Sequence, residues 1–495
     1  MLRDARTLAP GVELTADLCI VGAGAAGITL ARRLSGRGLR VLVLESGSFE
    51  IEAQHQALYA GTMSGLGGWT LDDHRWRLFG GSTARWGGFC MPLRPGDFTA
   101  RDHIPGSGWP ITFGDLEPSY RLASQGLEIG DFEYDAAVLA AADDLPLIEG
   151  SGRLETHVFR FSPPTRMGPR HRAELAAADD VEVQMWANAI DIVLDDGLAR
   201  VDHLLCATLD GARFTVAADR YVLAMGGLEN ARLLLASGSQ IDGGVAGSSG
   251  LVGAYFMEHP HLYSSAMWVE PGALDARFYG PHPTGEAVAG RWIEVCGVLA
   301  LSEETRDSER LPHLAAFLEE APLDGGATGS IPAAAVSVLA RRAGRARLFG
   351  LTIRAEQTPT RESAVSLSDE RDALGMPRLD LRWVVSDGDR IAYARAMEIL
   401  GAELAAAGLG RLWTPVDQLG RFDHPIRPGG HHMGTVRMHA DPARGVVDAS
   451  CRTHDVDNLY VAGSAVFTTG GAANPTLTLV ALAERLAAHL IEETA

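Results

Sequence analysis

Residues 16–47, ADLCIVGAGAAGITLARRLSGRGLRVLVLESG, constrain the fold more than any other stretch. Leu18-Cys19-Ile20-Val21 is a short continuous apolar run, suited to a strand buried on both faces of a parallel sheet. Gly22, Gly24 and Gly27 follow in G-x-G-x-x-G spacing, and the segment behind them predicts a helix headed by Ala25 and Ala26. The first glycine permits the turn, the second lets backbone approach a pyrophosphate, and the third lets the helix pack closely. The free N–H groups at the helix start favour that anion. A second apolar run, Val41–Leu44, ends at Glu45, 18 residues beyond Gly27, followed by Ser46. A carboxylate there accepts hydrogen bonds from a ribose. Strand, turn, helix and acid agree on a Rossmann-like dinucleotide-binding unit. FAD and NAD present the same adenosine diphosphate, so the motif leaves both open.

Two later segments bear on that choice. RYVLAMGGLENARLLLASG (220–238) again reads as strand, Gly-Gly turn and helix. Here Gly226-Gly227 and Glu229-Asn230 are expected to cap the helix, with Gly226 near an adenine. NLYVAGSAVFTTGGAANPTLTLVALAERLAAHL (458–490) reads as strand, Gly463-Ser464, loop and a long helix with a stripe at Leu479, Leu482, Leu486 and Leu490. A nucleotide fold touched again by such distant segments suits a long cofactor, and FAD is the longer one.

The 495 residues are enough for two substantial domains. A formal charge of −20, from 63 acidic against 43 basic residues, argues against a nucleic-acid partner, which needs a basic face. The five cysteines, Cys19, Cys90, Cys206, Cys296 and Cys451, are scattered and form no CxxC or CxxH pair, so neither a disulfide framework nor a zinc site is indicated. No apolar run reaches the ~18 residues of a membrane helix. The start, MLRDARTLAPGVELTAD, shows no secretion signal, so a cytoplasmic location is expected.

Several further stretches carry a resemblance. FGGSTARWGGFCMPLRPGDF (79–98), GWPITFGDLEPSY (108–120), LVGAYFMEHPH (251–261), EQTPTRESAVSLSDERDALGMPRLDLRW (356–383) and HHMGTVRM through ANPTLTLVALAERL are similar to the glucose–methanol–choline (GMC) oxidoreductases. HHMGT and NPTLT look closest to the family's bacterial sugar-oxidising members, the pyranose oxidases and glycoside 3-oxidases or dehydrogenases. The resemblance implies an α/β (overall α+β) fold with interleaved domains. An FAD-binding domain would take 1–95, 181–255 and 426–495. A substrate domain on an antiparallel sheet would take 96–180 and 256–425. Alternation at 364–368 and 379–383 is compatible with half-exposed strands. The Ala- and Gly-rich stretch 321–346 is read as a mobile loop.

The same resemblance implies the chemistry. Oxidising an alcohol with a flavin needs a base for the hydroxyl proton and an anchor for its oxygen, while the C–H hydride goes to flavin N5. A neutral imidazole suits the base, since its usual pKa lies near working pH. The family's catalytic histidine lies three residues before the glycine of the Gly-Thr turn, which is His431. Its second residue, His or Asn, falls at Asn474 in Ala-Asn-Pro-Thr, where Pro475 and Thr476 join the cofactor contacts. His432 is expected to be structural, either bonding to backbone or lining the entrance, and His259 likewise structural. His431, His432, His439 and Asp441 do not have metal-ligand spacing.

Pyranose oxidases link a histidine covalently to the flavin just before the tryptophan of this loop. Here Arg85 precedes Trp86, so a noncovalent FAD is expected, with Arg85 free to pair with a phosphate or carboxylate. Gly80, Gly81, Gly87 and Gly88 would let backbone approach the ring, and Ala187-Asn188-Ala189 would meet the adenine edge. Trp76, Trp109 and Trp383 are read as core residues. The substrate would be an alcohol, on a sugar, glycoside, aminosugar or cyclitol, and the electron acceptor O2, a quinone or an electron-transfer protein. Alternatives are a non-sugar alcohol, a lyase of the same fold without redox turnover, and a nicotinamide enzyme using the first motif alone.

Overall fold

The computed structural model describes residues 1–148, 150–321 and 347–494. The expected mobile loop at 321–346 lies, after Ala321, outside the described residues. The first motif forms a strand at Glu13–Val21, a helix at Ala25–Leu34 and a strand at Val41–Glu45. Each strand is longer than its apolar run in one direction because backbone pairing carries on past the apolar residues.

These strands belong to an eight-stranded sheet. Its order runs Leu2–Asp4, Val181–Met185, Val41–Glu45, Glu13–Val21, Arg213–Leu223, Val201–Ala207, Asn188–Leu194, with Leu459–Val461 also on Arg213–Leu223. The pairings from Leu2–Asp4 through Arg213–Leu223, and the one to Leu459–Val461, are parallel. Register brings their carboxyl ends together: Val21 lies beside Leu44 and Leu223, Leu223 beside Val461, and Glu45 beside Met185. Ligands of open α/β sheets sit at such ends. Residues more than 400 positions apart thus share one crevice.

A second, nine-stranded sheet is antiparallel throughout. It runs Arg411–Trp413, Pro260–Val269, Arg347–Ala355, Leu314–Ala321, Arg291–Leu301, Leu154–Phe161, Phe89–Cys90, with His282–Val288 and Arg427–Pro428 attached. The alternating segments 364–368 and 379–383 form strands, Ala364–Arg371 and Pro377–Trp383. They join Thr62–Gly65 in a separate three-stranded sheet rather than the large one.

Two apolar cores result. One surrounds the parallel sheet and takes in Ile20, Val43, Leu223 and the Leu482, Leu486 and Leu490 stripe of the Pro475–Glu492 helix. The other lies under the antiparallel sheet, around Val295, Leu351, Trp383 and Leu400 of the Asp387–Ala406 helix. Each fully buried leucine contributes about 1.5–3 kcal/mol. Trp109 and Trp383 are core residues as read from sequence, whereas Trp76 is only half-buried and borders a cavity. No described helix is long and apolar enough to cross a membrane.

Candidate active site

A cavity of about 630 Å³ runs from the glycine turn of the first strand to His431 and Asn474. It is lined by Gly22, Gly24, Ala25, Ala26, Glu45, Ser46, Arg85, Trp86, Gly87, Gly88, Ala189, Gly226, Gly463, Ser464, Pro475 and Thr476. Gly27 is not in the lining. A Cβ there would sit 1.9 Å from the Gly22 carbonyl oxygen, so this glycine serves the contact of helix and turn. A Cβ added at Gly24, Gly226 or Gly463 meets nothing within 4 Å, so backbone at these points faces open space. The Glu45 carboxylate accepts the Ala23 and Gly47 N–H groups at 2.9 and 2.8 Å, and burial raises its pKa. Its remaining lone pairs are available to a ligand hydroxyl. A continuous slot with bare backbone at one end and a base at the other fits a dinucleotide carrying a flavin.

His431 is placed by what lies behind it. Glu258, fully buried, accepts the backbone N–H groups of His431, Gly429 and His259. Burial pushes its carboxyl up to about 8 against those donors. Gly429 has no side chain because a Cβ would lie 2.9 Å from His431 Nδ1 and 2.8 Å from His261 Nε2. Gly434 follows with φ of +85°, a left-handed turn that a larger residue would enter only with strain.

Hydrogen bonds settle the tautomer of His431. The carbonyl oxygens of Gly470 and Gly471 lie 3.2 and 3.0 Å from His259 Nε2 and can only accept, so Nε2 carries hydrogen. Burial lowers His259 to about 4, so its ring is neutral near pH 7 and Nδ1 holds a lone pair. That atom is 2.8 Å from His431 Nδ1, which must therefore donate. The lone pair of His431 falls on Nε2, on the Asn474 side. Burial, then the charges of His259, His261 and Arg354, hold His431 well below the usual histidine range. His431 is a neutral imidazole whose lone pair, on Nε2, accepts from the Asn474 amide.

Asn474 stands at the start of the Pro475–Glu492 helix, yet its side chain makes no capping bond. Arg354 Nη1 donates to Oδ1, so the amide nitrogen faces His431 and lies 3.1 Å from Nε2. A hydroxyl oxygen within reach of both nitrogens would give its proton to Nε2 and accept from the amide.

Other sequence expectations need correction. The His432 ring makes no backbone hydrogen bond among the described residues, and its backbone carbonyl accepts from the Ser464 hydroxyl. Its ring stacks on Trp69 at 4.9 Å in the cavity lining. Arg85 pairs with no carboxylate among the described residues; its guanidinium lies over the Trp76 ring at 4.5 Å and borders the cavity. Glu229 and Asn230 lie inside the Gly226–Ala236 helix rather than before it. Asn230 Oδ1 accepts the Met225 N–H and so serves the helix start. Glu229 instead pairs with Arg75, Arg77 and Arg232, and these drive its carboxyl down to about 2. Among the described residues no group of three or more His, Cys, Asp or Glu side chains is placed to hold a metal ion.

Sequence reading missed Arg75, Arg77, His261 and Arg354 in this lining. His259, read as structural, is fully buried and hydrogen-bonded through both ring nitrogens. The dense His-Pro-His of 259–261 was the one available signal. Arg354 sits on an ordinary strand, and nothing local marks it.

Residues 359–483 match the family model described as GMC oxidoreductase, and residues 20–49 match an NAD(P)-binding Rossmann-like domain. Residues 359–483 thus carry the C-terminal domain of the GMC oxidoreductases. It is 27% identical to 6'''-hydroxyparomomycin C oxidase of Streptomyces lividus, over 97% of this chain and 92% of that one. It is also 27% identical to 2-methyl-1,2-propanediol dehydrogenase of Mycolicibacterium austroafricanum, over 95% of this chain and 94% of the relative. A solved formate oxidase of Aspergillus oryzae RIB40, studied for its FAD modification, superposes with a TM-score of 0.61 at 17% identity, covering 98% and 99% of the two chains. These matches support FAD as the cofactor and oxidation of a CH–OH group as the reaction.

Proposed function

We propose that this protein oxidises a hydroxyl-bearing carbon of a sugar-like alcohol to a carbonyl, with His431 as general base and Asn474 as oxygen anchor. One observation carries the reading: the lone-pair Nε2 of His431 and the amide nitrogen of Asn474 converge, 3.1 Å apart, in the cavity that begins at the glycine turn, so that a hydroxyl entering between them meets both. FAD, when bound, takes up the hydrogen and electron pair released from the carbon. The chain holds it through Gly22, Gly24, Ala25, Ala26, Glu45, Ser46 and Ala189 at the adenosine end. Arg85–Gly88, Gly226, Gly463, Ser464 and Asn474–Thr476 serve the remainder. His431 removes the hydroxyl proton, Asn474 keeps the oxygen in place, and the carbonyl forms as both hydrogens leave. The relatives' names, one an aminoglycoside oxidase and one a diol dehydrogenase, support a polyhydroxylated substrate.

We read the chain as two interleaved domains, 1–95 with 181–255 and 426–495 for FAD, and 96–180 with 256–425 for substrate. Strands at Phe89–Cys90 and Arg427–Pro428 tie the first into the sheet of the second. Five buried, unpaired cysteines suit a reducing compartment such as the cytoplasm.

The test is anaerobic mixing of the yellow protein with monosaccharides, glycosides and aminocyclitols while flavin absorbance is followed. Bleaching by one class names the substrate, and admitting air then tells O2 from a quinone or protein acceptor. A yellow protein that none of them bleaches refutes the sugar reading and points to a non-sugar alcohol or a lyase.

Two further outcomes are expected. Acid precipitation should release all flavin into solution, because Arg85 stands where a linking histidine would be needed. Flavin left on the pellet would contradict this. The rate of flavin reduction should hold level through neutral pH and fall only on the acid side of the usual histidine pKa of about 6.5. His431 is depressed, so its basic form persists as pH drops and is lost only below that value. An acid limb centred above pH 7 would exclude His431.

A further inference from the structure

Arg354 is the cation nearest the reactive pair, and its position is unusually rigid. Its guanidinium lies against Phe89, Phe317 and Phe159, at 4.2, 4.4 and 5.2 Å from the ring centres. The side chain is 7% exposed and lines the cavity. Nη1 is spent on Asn474, whereas Nε and Nη2 have no hydrogen-bond partner among the described residues. No carboxylate among the described residues forms an ion pair with it.

A buried cation with unused donors costs stability unless an acceptor completes it. Asn474 presents its nitrogen to the reacting oxygen and its own oxygen to Arg354. The guanidinium is therefore bonded to the opposite end of the amide that faces the reacting hydroxyl, and both side chains line the same cavity. We propose that Arg354 is a specificity-determining residue. It selects alcohols bearing a second oxygen acceptor close to the reacting carbon, as a vicinal diol does, and it rejects those bearing an ammonium there. This rests on the cavity being the alcohol-oxidising site.

Three ring alcohols separate the possibilities: trans-cyclohexane-1,2-diol, cyclohexanol and trans-2-aminocyclohexanol, the last protonated at neutral pH. Their dissociation constants are read from perturbation of bound-flavin absorbance in the FAD-loaded protein, and bleaching is recorded separately. A hydrogen bond to a charged donor predicts that the diol binds about 10–100-fold tighter than cyclohexanol, with the amino alcohol weakest. In Arg354→Met this ranking should collapse. Loss of Asn474 positioning alone would weaken all three together and leave the ratios unchanged, which would overturn the proposal. Equal affinities for diol and cyclohexanol in the unaltered protein would overturn it without any variant. If none of the three bleaches the flavin, the alcohol-oxidising reading is what fails for this class, and the binding ratios still decide the role of Arg354.

Discussion

Replacing His431 with alanine is expected to slow flavin reduction by alcohol about 10²–10⁴-fold, the usual worth of a general base, while FAD stays bound. The size follows from the geometry. The neighbouring groups that could take the proton are unsuited to it. His261 is lowered to about 3 by burial and by Arg354, and it is committed to Tyr263 through Nδ1. His259 faces carbonyls with its protonated nitrogen. Asn474 and Arg354 only donate toward the cavity. The ring of His431 is not part of the apolar core, and its backbone N–H would still reach Glu258 in the variant. Stopped-flow absorbance under anaerobic conditions measures the step directly. A variant that reduces flavin at the unaltered rate would remove His431 from the reaction.

Changing Gly27 to alanine should have the larger structural consequence, producing protein that purifies without flavin. The added Cβ would lie 1.9 Å from the Gly22 oxygen and 3.0 Å from its carbonyl carbon, and both are backbone atoms that no rotamer change can clear. Either the helix Ala25–Leu34 lifts from its strand or the turn opens. Both move the Gly24–Ala26 backbone that faces the cavity. Overpacking of about 3 kcal/mol corresponds to roughly 100-fold weaker binding. Flavin-to-protein absorbance ratio and melting temperature are the readouts. Stoichiometric FAD in the variant would show that this contact can relax.

Parts of this molecule could be read from its residues because they are local. The motif of 16–47 is legible since a glycine turn, an apolar run and an acid at a fixed distance each restrict a few neighbouring dihedrals, and all agree. His431 and Asn474 could be named through their family resemblance, which attaches to short motifs around each. The sequence therefore determined the nucleotide-binding unit and named the two residues proposed as base and oxygen anchor.

Tertiary structure decided the rest. Which nitrogen of His431 is basic depends on carbonyls at Gly470 and Gly471 and on a ring 172 positions away in the chain. Which end of the Asn474 amide faces His431 depends on Arg354, 120 positions away. His432, adjacent to the base in sequence, stacks instead on Trp69. Hydrogen-bond direction and ring orientation are set by partners met only when two sheets close on a shared cavity, and no pattern of residues along one strand or loop encodes them.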